Sequence, residues 1–300
     1  MSLFDRMVVG MLPLVPRGIV GIVASRYVAG NTVEDAISTA RSLAAEGAVA
    51  TMDILGEEVR DAAVAERFTL QYLQLVDAIA AAGISSTVSV KPTMLGLDIT
   101  EELCEQNVAR LCGHASERSV RVAIDMEDHP TTDFTLGLHM RMRERFGNVG
   151  TVLQAYMRRT LSDIEALPEG RECQIRLCKG IYVEPESIAY KGYDEVRANY
   201  LKALEALFER GIFVGIATHD EYLVDRAVEI IKRRGLEPDA YEFQMLLGVL
   251  PQLRAKILGG GHALRVYIPY GPDWYAYSVR RLRENPKVAR HVMRAMIGLR

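Results

Sequence analysis

Eight short apolar runs, alternating with segments of helical periodicity, constrain the fold of this 300-residue chain more than any other feature. Short runs rich in β-branched residues and bounded by turn residues are typical of buried strands. Strands that alternate with helices predict βαβ units and a parallel sheet. The predicted strands are residues 48–55, 87–92, 120–126, 149–156, 173–179, 212–218 and 241–247, and a run from Leu264 that stops at Pro269 and Gly271.

Eight strand–helix units indicate one closed barrel. A (β/α)8 barrel needs about 250 residues, which this chain supplies. A doubly wound open sheet is the alternative, but no G-x-G-x-x-G follows the early strands to support it. The sequence therefore predicts an α/β fold, a (β/α)8 TIM barrel with extra N-terminal helices.

The predicted domain organisation divides the chain at residue 47. Residues 1–47 are expected to form an N-terminal helical segment packed on the barrel, and residues 48–300 the barrel domain with a C-terminal helix. Apolar stretches at 7–14 and 19–24 hint at a membrane, but prolines and an arginine interrupt them well short of the roughly 18 residues that a spanning helix needs. We interpret them as short helices packed on the core or on a partner, with surface membrane contact as the alternative.

Composition narrows the class of protein. The formal net charge of −3 gives no support for nucleic-acid binding, which usually needs a basic domain. The four cysteines form no Cys-x-x-Cys pair and no zinc-finger spacing, so we expect reduced thiols in a cytoplasmic protein. A peripheral position on the inner face of the cell membrane is the alternative location.

Polar side chains stand at the predicted carboxyl end of nearly every strand, where (β/α)8 barrels build their active sites. One such residue would be explained as a helix cap, but a full ring of them is harder to explain by capping. The ring consists of Glu57, Lys91, the acidic stretch 125–128, Gln154, Arg176, Lys179, the stretch 218–220, Gln244 and Tyr267.

The helix predicted after the last strand adds two arginines. Tyr277 precedes Arg280 and Arg281 by three and four residues, so one helix face can carry a phenol and two guanidiniums. Adjacent guanidiniums suit a carboxylate, although the pair taken alone is better explained by a solvated basic helix face. Lys91, Arg176 and Lys179 are predicted to add positive charge at the mouth of the barrel, where few acids are expected. A positively charged mouth suits a substrate carboxylate or a cofactor pyrophosphate.

Two other classes of function stay open at this point. A metal-dependent lyase or hydrolase would use His219, Asp125 and Glu127, but such barrels generally draw two or more histidines from separate strand ends. Only His219 and His129 qualify here, so we predict no metal. A barrel without catalytic activity that serves as a scaffold is the third class, and the ring of polar strand ends speaks against it.

Five motifs at consecutive strand ends resemble those of the proline dehydrogenase family, in order from about residue 49 to residue 284. Each motif is short, but five in register form a specific signal. The motifs are 120–127 (VRVAIDME), 153–156 (LQAY), 176–182 (RLCKGIY), 217–220 (ATHD), and Tyr267 followed by Tyr277-x-x-Arg280-Arg281-x-x-Glu284. The likeness is to the small, single-activity bacterial enzymes.

The resemblance implies a distorted barrel that holds FAD and oxidises L-proline to Δ1-pyrroline-5-carboxylate, the first step of proline degradation to glutamate. A hydride would pass from the ring carbon beside nitrogen to flavin N5, and electrons would leave to a quinone. A separate pyrroline-5-carboxylate (aldehyde) dehydrogenase is an implied partner. Oxidation of a related cyclic imino acid such as hydroxyproline is the alternative.

The resemblance also assigns residues. Asp125 and Arg176 would be catalytic, and Glu57 would pair with Arg280 to gate the site. Substrate would be bound by Lys91, Tyr267, Tyr277, Arg280 and Arg281. The cofactor would be held by Met126, Gln154, Arg176, Lys179, Gly180, Ile181, Thr218 and His219, with Arg176 and Gln154 reaching the isoalloxazine.

This chain departs from the family pattern in two places. Ile181 and Val183 stand where many members have Ala and Trp in the Gly-Ala-Tyr-Trp stretch. The contact expected at Ile181 is through the backbone, so this change is mild. The stretch around Pro272 can alter how the last helix sits, which bears on the ring contacts expected of Tyr277.

Overall fold

Eight parallel strands close into a barrel in chain order. The computed structural model describes residues 21, 25–56, 59–275 and 277–278. Each strand pairs with its neighbour in sequence, and the last pairs with the first, which confirms the predicted (β/α)8 barrel. The strands are β1 Val49–Ile54, β2 Ser86–Val90, β3 Arg121–Ile124, β4 Val149–Gln154, β5 Gln174–Cys178, β6 Phe213–Ala217, β7 Tyr241–Leu246 and β8 Leu264–Tyr270.

A helix follows each of the first seven strands, and one more precedes β1. The helices are α1 Val33–Ala45, α2 Ala62–Ala82, α3 Glu101–Glu117, α4 Thr132–Phe146, α5 Thr160–Ala166, α6 Tyr193–Glu209, α7 Glu221–Arg234 and α8 Pro251–Gly259. Short 3-10 turns lie at Pro92–Leu95, His129–Thr131 and Pro238–Ala240. The predicted arginine pair and Glu57 fall outside the described residues.

The helix ends follow from capping side chains. Thr32 caps α1 in a capping box with Asp35, which satisfies backbone N–H groups that the first turn leaves unpaired. At α2 the carboxylate of Asp61 accepts hydrogen bonds from the N–H groups of residues 63 and 64. The apolar periodicity of the sequence by itself predicts a helix that starts at Glu66, and this prediction is wrong because the Asp61 cap starts the helix one turn earlier.

The two faces of the barrel wall differ in chemistry. Outward residues such as Met52, Val88 and Val266 are fully buried against the helices and form the main apolar core. Inward residues such as Asp53 and Ser89 are equally buried but polar. Barrel interiors are ordinarily filled by branched apolar side chains, so a polar interior here indicates a functional lumen.

No helix in the described part of the chain combines the length and the apolar character that a bilayer crossing demands. The four cysteines are free thiols. Burial raises the pKa of Cys178 to about 11, so this thiol in the cavity wall stays protonated near neutral pH.

His139 of α4 makes the fold sensitive to acid. Its side chain is fully buried, and neither ring nitrogen has a hydrogen-bond partner. Burial, helped by Arg143, lowers the pKa of His139 from 6.5 to about 4. Between these values the unfolded chain binds a proton that the folded chain refuses, so the free energy of unfolding falls as the pH falls.

We therefore expect the unfolding free energy of the wild type to drop by about 2 kcal/mol more than that of His139→Leu between pH 7 and pH 5. Urea denaturation of both proteins at the two pH values measures this difference. An equal loss in both proteins would show that His139 does not set the acid sensitivity.

Candidate active site

A cavity of about 690 Å³ opens at the carboxyl ends of the strands. Its volume lies in the range of small-molecule and cofactor sites. A smaller cavity of about 420 Å³ lies at the opposite end of the barrel, where barrel enzymes do not place their chemistry. Every predicted site residue that the structure describes lines the larger cavity: Lys91, Asp125, Met126, Gln154, Arg176, Lys179, Gly180, Ile181, Thr218, His219, Tyr267 and Tyr277.

Asp125, just after β3, is the centre of the site. Its Oδ1 accepts hydrogen bonds from Nη1 of Arg176 and from Oγ of Ser89, each at 2.7 Å. Its Oδ2 accepts one from the hydroxyl of Tyr267 at 3.1 Å. These partners come from β5, β2 and β8, so closure of the barrel brings together residues far apart in sequence.

Arg176 is held on two sides. Its guanidinium also lies 5.2 Å from the centre of the Tyr267 ring, a cation–π distance. Burial, with Asp125 adding to it, raises the pKa of Tyr267 well above its usual value, so the phenol remains a hydrogen-bond donor. The arrangement fixes a permanent cation in a site largely shielded from water.

Lys91 is paired with a carboxylate that the sequence analysis missed. Its Nζ lies 2.8 Å from both carboxylate oxygens of Asp53, which is buried within β1. Burial lowers the pKa of Lys91, but the carboxylates of Asp53 and Asp125 outweigh burial and hold this pKa above its usual value. Lys91 is therefore a cation. The signal for Asp53 was present, as a single acid in an otherwise apolar and neutral strand.

The prediction that the mouth carries cations against few acids is wrong for the described residues. Asp220 accepts hydrogen bonds from Nζ of Lys179 at 3.2 Å and from the hydroxyl of Tyr193 at 2.8 Å. Arg197 adds two more, at 2.9 and 2.6 Å. Together with the pairs at Lys91 and Arg176, each described cation of the predicted mouth therefore has a carboxylate partner.

The group around Asp220 links α6 to the end of β6. Burial raises the pKa of Asp220, but its bonds to Arg197, Tyr193 and Lys179 outweigh this and hold the pKa well below its usual range. Arg197 also stacks on Tyr193, with 4.3 Å between the guanidinium carbon and the ring centre. Tyr193 and Arg197 lie in the first turns of α6, away from the strand ends on which the sequence analysis relied.

The two histidines named for a metal site are committed to other contacts. Nε2 of His219 accepts a hydrogen bond from the backbone N–H of Leu246 at 2.9 Å, so this ring nitrogen is unprotonated. Nδ1 of His129 lies 2.5 Å from the carboxylate of Glu184. Among the residues that the structure describes, no group of three or more His, Cys, Asp or Glu side chains is arranged to hold a metal ion.

Gly180 fixes the backbone at one wall of the cavity. Its φ is +104°, and a Cβ atom here would lie 2.1 Å from a ring carbon of Tyr156, so only glycine fits. Glu184 anchors the same loop, because its carboxylate accepts a hydrogen bond from the backbone N–H of His129 at 2.8 Å. Val183, which replaces the expected Trp, is 99% exposed and stands away from these contacts.

The polar groups of the cavity wall fit an isoalloxazine ring. Arg176 keeps donors on Nη1 and Nη2 beyond those it gives to Asp125 and Ser89. Gln154 is buried and uses Nε2 to donate to the carbonyl of Glu127 at 2.8 Å, which leaves Oε1 as an acceptor for a ring N–H. The fixed backbone at Gly180 supplies further polar groups along the wall.

The closed barrel and the polar residues that converge at the carboxyl ends of its strands define a (β/α)8-barrel enzyme. Residues 36–294 match the family described as proline dehydrogenase. The chain belongs to this family and is an oxidoreductase of this kind, as the sequence motifs predicted.

The alignments with similar proteins cover most of the chain. Proline dehydrogenase 2 of Bacillus subtilis (strain 168) is 38% identical over 265 residues, which span 88% of this chain and 87% of that protein. Proline dehydrogenase of Deinococcus radiodurans is 37% identical over 279 residues, 91% of this chain and 90% of that one. A crystal structure of proline utilization A (PutA) from Bdellovibrio bacteriovorus, inactivated by N-propargylglycine, aligns with a TM-score of 0.81 at 25% identity. That alignment spans 88% of this chain and 32% of the longer PutA.

Proposed function

We propose that this chain oxidises L-proline to Δ1-pyrroline-5-carboxylate with FAD bound in the 690 Å³ cavity. The observation that supports it best is the convergence of Arg176, Tyr267 and Ser89 on Asp125 beside the Lys91–Asp53 pair. In the reaction the ring carbon beside nitrogen loses a hydride and the nitrogen loses a proton, which leaves a C=N double bond. FAD, when bound, supplies the acceptor for that hydride at flavin N5.

The cofactor would be held by residues from four strand ends. Arg176 and Gln154 would meet the ring, where a fixed cation favours the electron-rich reduced form. Met126 is buried and lines the cavity beside them. The ribityl, pyrophosphate and adenosine portions would be held by Lys179, Gly180, Ile181, Thr218 and His219.

The substrate would be held by its carboxylate and its ring. We propose that Arg280 and Arg281 clamp the carboxylate, with Lys91 as a third cation, and that Glu57 pairs with Arg280 to gate the site. Tyr267 and Tyr277 would close on the ring and exclude water. Tyr277 is buried and packs in a cluster with Val28 and Leu55, which supports its position at the cavity.

Asp125 would act through its neighbours. It keeps the guanidinium of Arg176 and the hydroxyl of Tyr267 in fixed positions, and its charge balances that of Arg176. After the reaction the electrons would leave to a quinone of the respiratory chain. The product would pass to a separate pyrroline-5-carboxylate dehydrogenase.

An absorption spectrum of the purified protein, recorded without air before and after addition of L-proline, tests the proposal. We expect flavin bands that bleach with L-proline. Flavin bands that bleach only with hydroxyproline or another cyclic imino acid would replace the substrate and keep the cofactor. A colourless protein that cannot be reconstituted with FAD would contradict the proposed function.

A further inference from the structure

A row of polar side chains crosses the barrel lumen beneath the site. Arg265 of β8 donates from Nε to Glu242 of β7 at 2.5 Å and from Nη2 at 3.1 Å. Gln244 donates from Nε2 to the same carboxylate at 2.8 Å. The Oε1 of Gln244 then accepts a hydrogen bond from Nε of Arg176 at 2.9 Å. The row therefore reaches from the lower lumen to the central cation of the site.

The neighbours of Gln244 fix the direction of its amide. A carboxylate can only accept, so the NH2 group of Gln244 must face Glu242 and its carbonyl oxygen must face Arg176. Glu242 itself cannot turn away, because both of its oxygens accept from Arg265. Arg265 is tied in turn, donating from Nη1 to the carbonyl of Ala50 at 2.7 Å.

The neighbouring strand leaves room for this amide. Gly215 of β6 lies in register between Arg176 of β5 and Glu242 of β7. A Cβ atom at Gly215 would lie 2.3 Å from Nε2 of Gln244. Glycine is therefore needed at position 215 because it leaves space for the Gln244 side chain, and not because of its backbone conformation.

Gln244 holds one edge of the Arg176 guanidinium. Nη1 and Nη2 bind Asp125 and Ser89 on one edge, and Nε binds Gln244 on another. With the Nε contact removed, the guanidinium would keep its charge and its contacts with Asp125 and Ser89, but its Nε edge would lose the hydrogen bond that fixes the tilt of its plane. The Nη groups that are left to bind a ligand would then no longer point steadily toward it.

We propose that Gln244 is a positioning residue that fixes the plane of the Arg176 guanidinium against the flavin ring. This inference rests on the proposed function, because it concerns the donors that Arg176 turns to the cofactor. Displacement of a catalytic group by about 1 Å can cost on the order of 100-fold in rate. The loss of one orienting contact leaves the charge of Arg176 and its pairing with Asp125 in place, so the rate should fall by less than this.

The test uses the FAD-loaded enzyme and Gln244→Met, which keeps the length of the side chain and removes both hydrogen bonds. We expect the rate constant for anaerobic flavin reduction by L-proline to fall roughly tenfold, while the dissociation constant for proline is unchanged. The reduction potential of the bound flavin should also fall, because the cation is no longer held against the ring. A purely structural role would lower thermal stability and move neither quantity.

Gln174→Met is the matched control. Gln174 is also a glutamine of the barrel lumen, on β5 two residues before Arg176, and its side chain accepts from Arg121 at 3.2 Å. Gln174 lies lower in the lumen and contacts Arg121, whereas Gln244 contacts Arg176, so the rate constant and flavin potential of Gln174→Met should equal those of the wild type.

Gly215→Ala gives a second, independent variant, since the added methyl displaces the amide of Gln244 without deleting it. It should shift the rate and the potential in the same direction, and it replaces Gln244→Met in the comparison if that protein does not fold. If proline reduces the flavin of the wild type and the variants match the wild type in rate and potential, the role of Gln244 is overturned and the proposed function stands. A wild type whose flavin ignores proline would overturn the proposed function and this inference with it.

Discussion

Replacement of Arg176 by methionine should lower the rate constant for flavin reduction by L-proline by about 100-fold to 1000-fold, the scale seen when one preorganised electrostatic group is removed from an active site. Methionine fills much of the same volume but has neither the charge nor the donors. Three side chains each lose one hydrogen bond at once, namely Asp125, Ser89 and Gln244. Stopped-flow absorbance without air measures the change.

Arg176→Lys separates charge from geometry. It keeps the positive charge near Asp125 but lacks the planar fork that binds Asp125, Ser89 and Gln244 together. We expect a rate between those of the wild type and the methionine variant. Arg121→Met, at the other end of the lumen, is the control and should match the wild type. If Arg176→Met reduces its flavin as fast as the wild type, the assigned role of Arg176 is wrong.

The barrel was predictable because its signal is local and repeated. Runs such as 212–218, where every residue but one is apolar or glycine, identify a strand buried on both faces without any knowledge of the fold. The boundary error at α2 has a local cause as well. Asp61 was passed over in favour of the apolar period that begins near Glu66, although the carboxylate of Asp61 caps the helix.

The ring of site residues was predictable in part, because parallel strands in a barrel bring all their carboxyl ends to one face. Which acid meets which cation was not predictable from the residues. The pair of Asp53 in β1 and Lys91, the residue after β2, spans 38 residues of sequence. The contact of Tyr267 with Asp125 spans 142 residues across the closed lumen. Contacts between residues so far apart in sequence follow only from the strand register and the closure of the barrel.

The sequence prediction covered the carboxyl ends of the strands but not the inward positions deeper in the barrel. In β1 it selected Glu57, beyond the strand, and passed over Asp53 within it. Inward positions deeper in the lumen, such as Glu242 and Arg265, were not predicted, and they hold Arg176 from below through Gln244, which the predicted ring did include. A polar residue at every second position of a predicted buried strand is the signal that would have found them, since ordinary barrel interiors are apolar.

Loss of Asp53 should destabilise the fold strongly, because Asp53 is the buried partner of Lys91. In Asp53→Ala the ammonium of Lys91 stays in the lumen without the carboxylate that now lies 2.8 Å away. Removal of one partner from a buried ion pair typically costs about 3–5 kcal/mol, because the remaining charge is left uncompensated. We expect the free energy of unfolding to fall by this amount, measured by urea denaturation at neutral pH.

The double variant Asp53→Leu with Lys91→Met decides whether the pair exists for stability or for chemistry. Apolar side chains of similar size remove both charges, so most of the stability lost in Asp53→Ala should return. Reduction of the flavin by proline should not return, because the cation proposed for the substrate carboxylate is gone. A double variant that recovers both stability and reduction would remove Lys91 from the substrate site. A single variant as stable as the wild type would show that Lys91 finds another partner or reaches water.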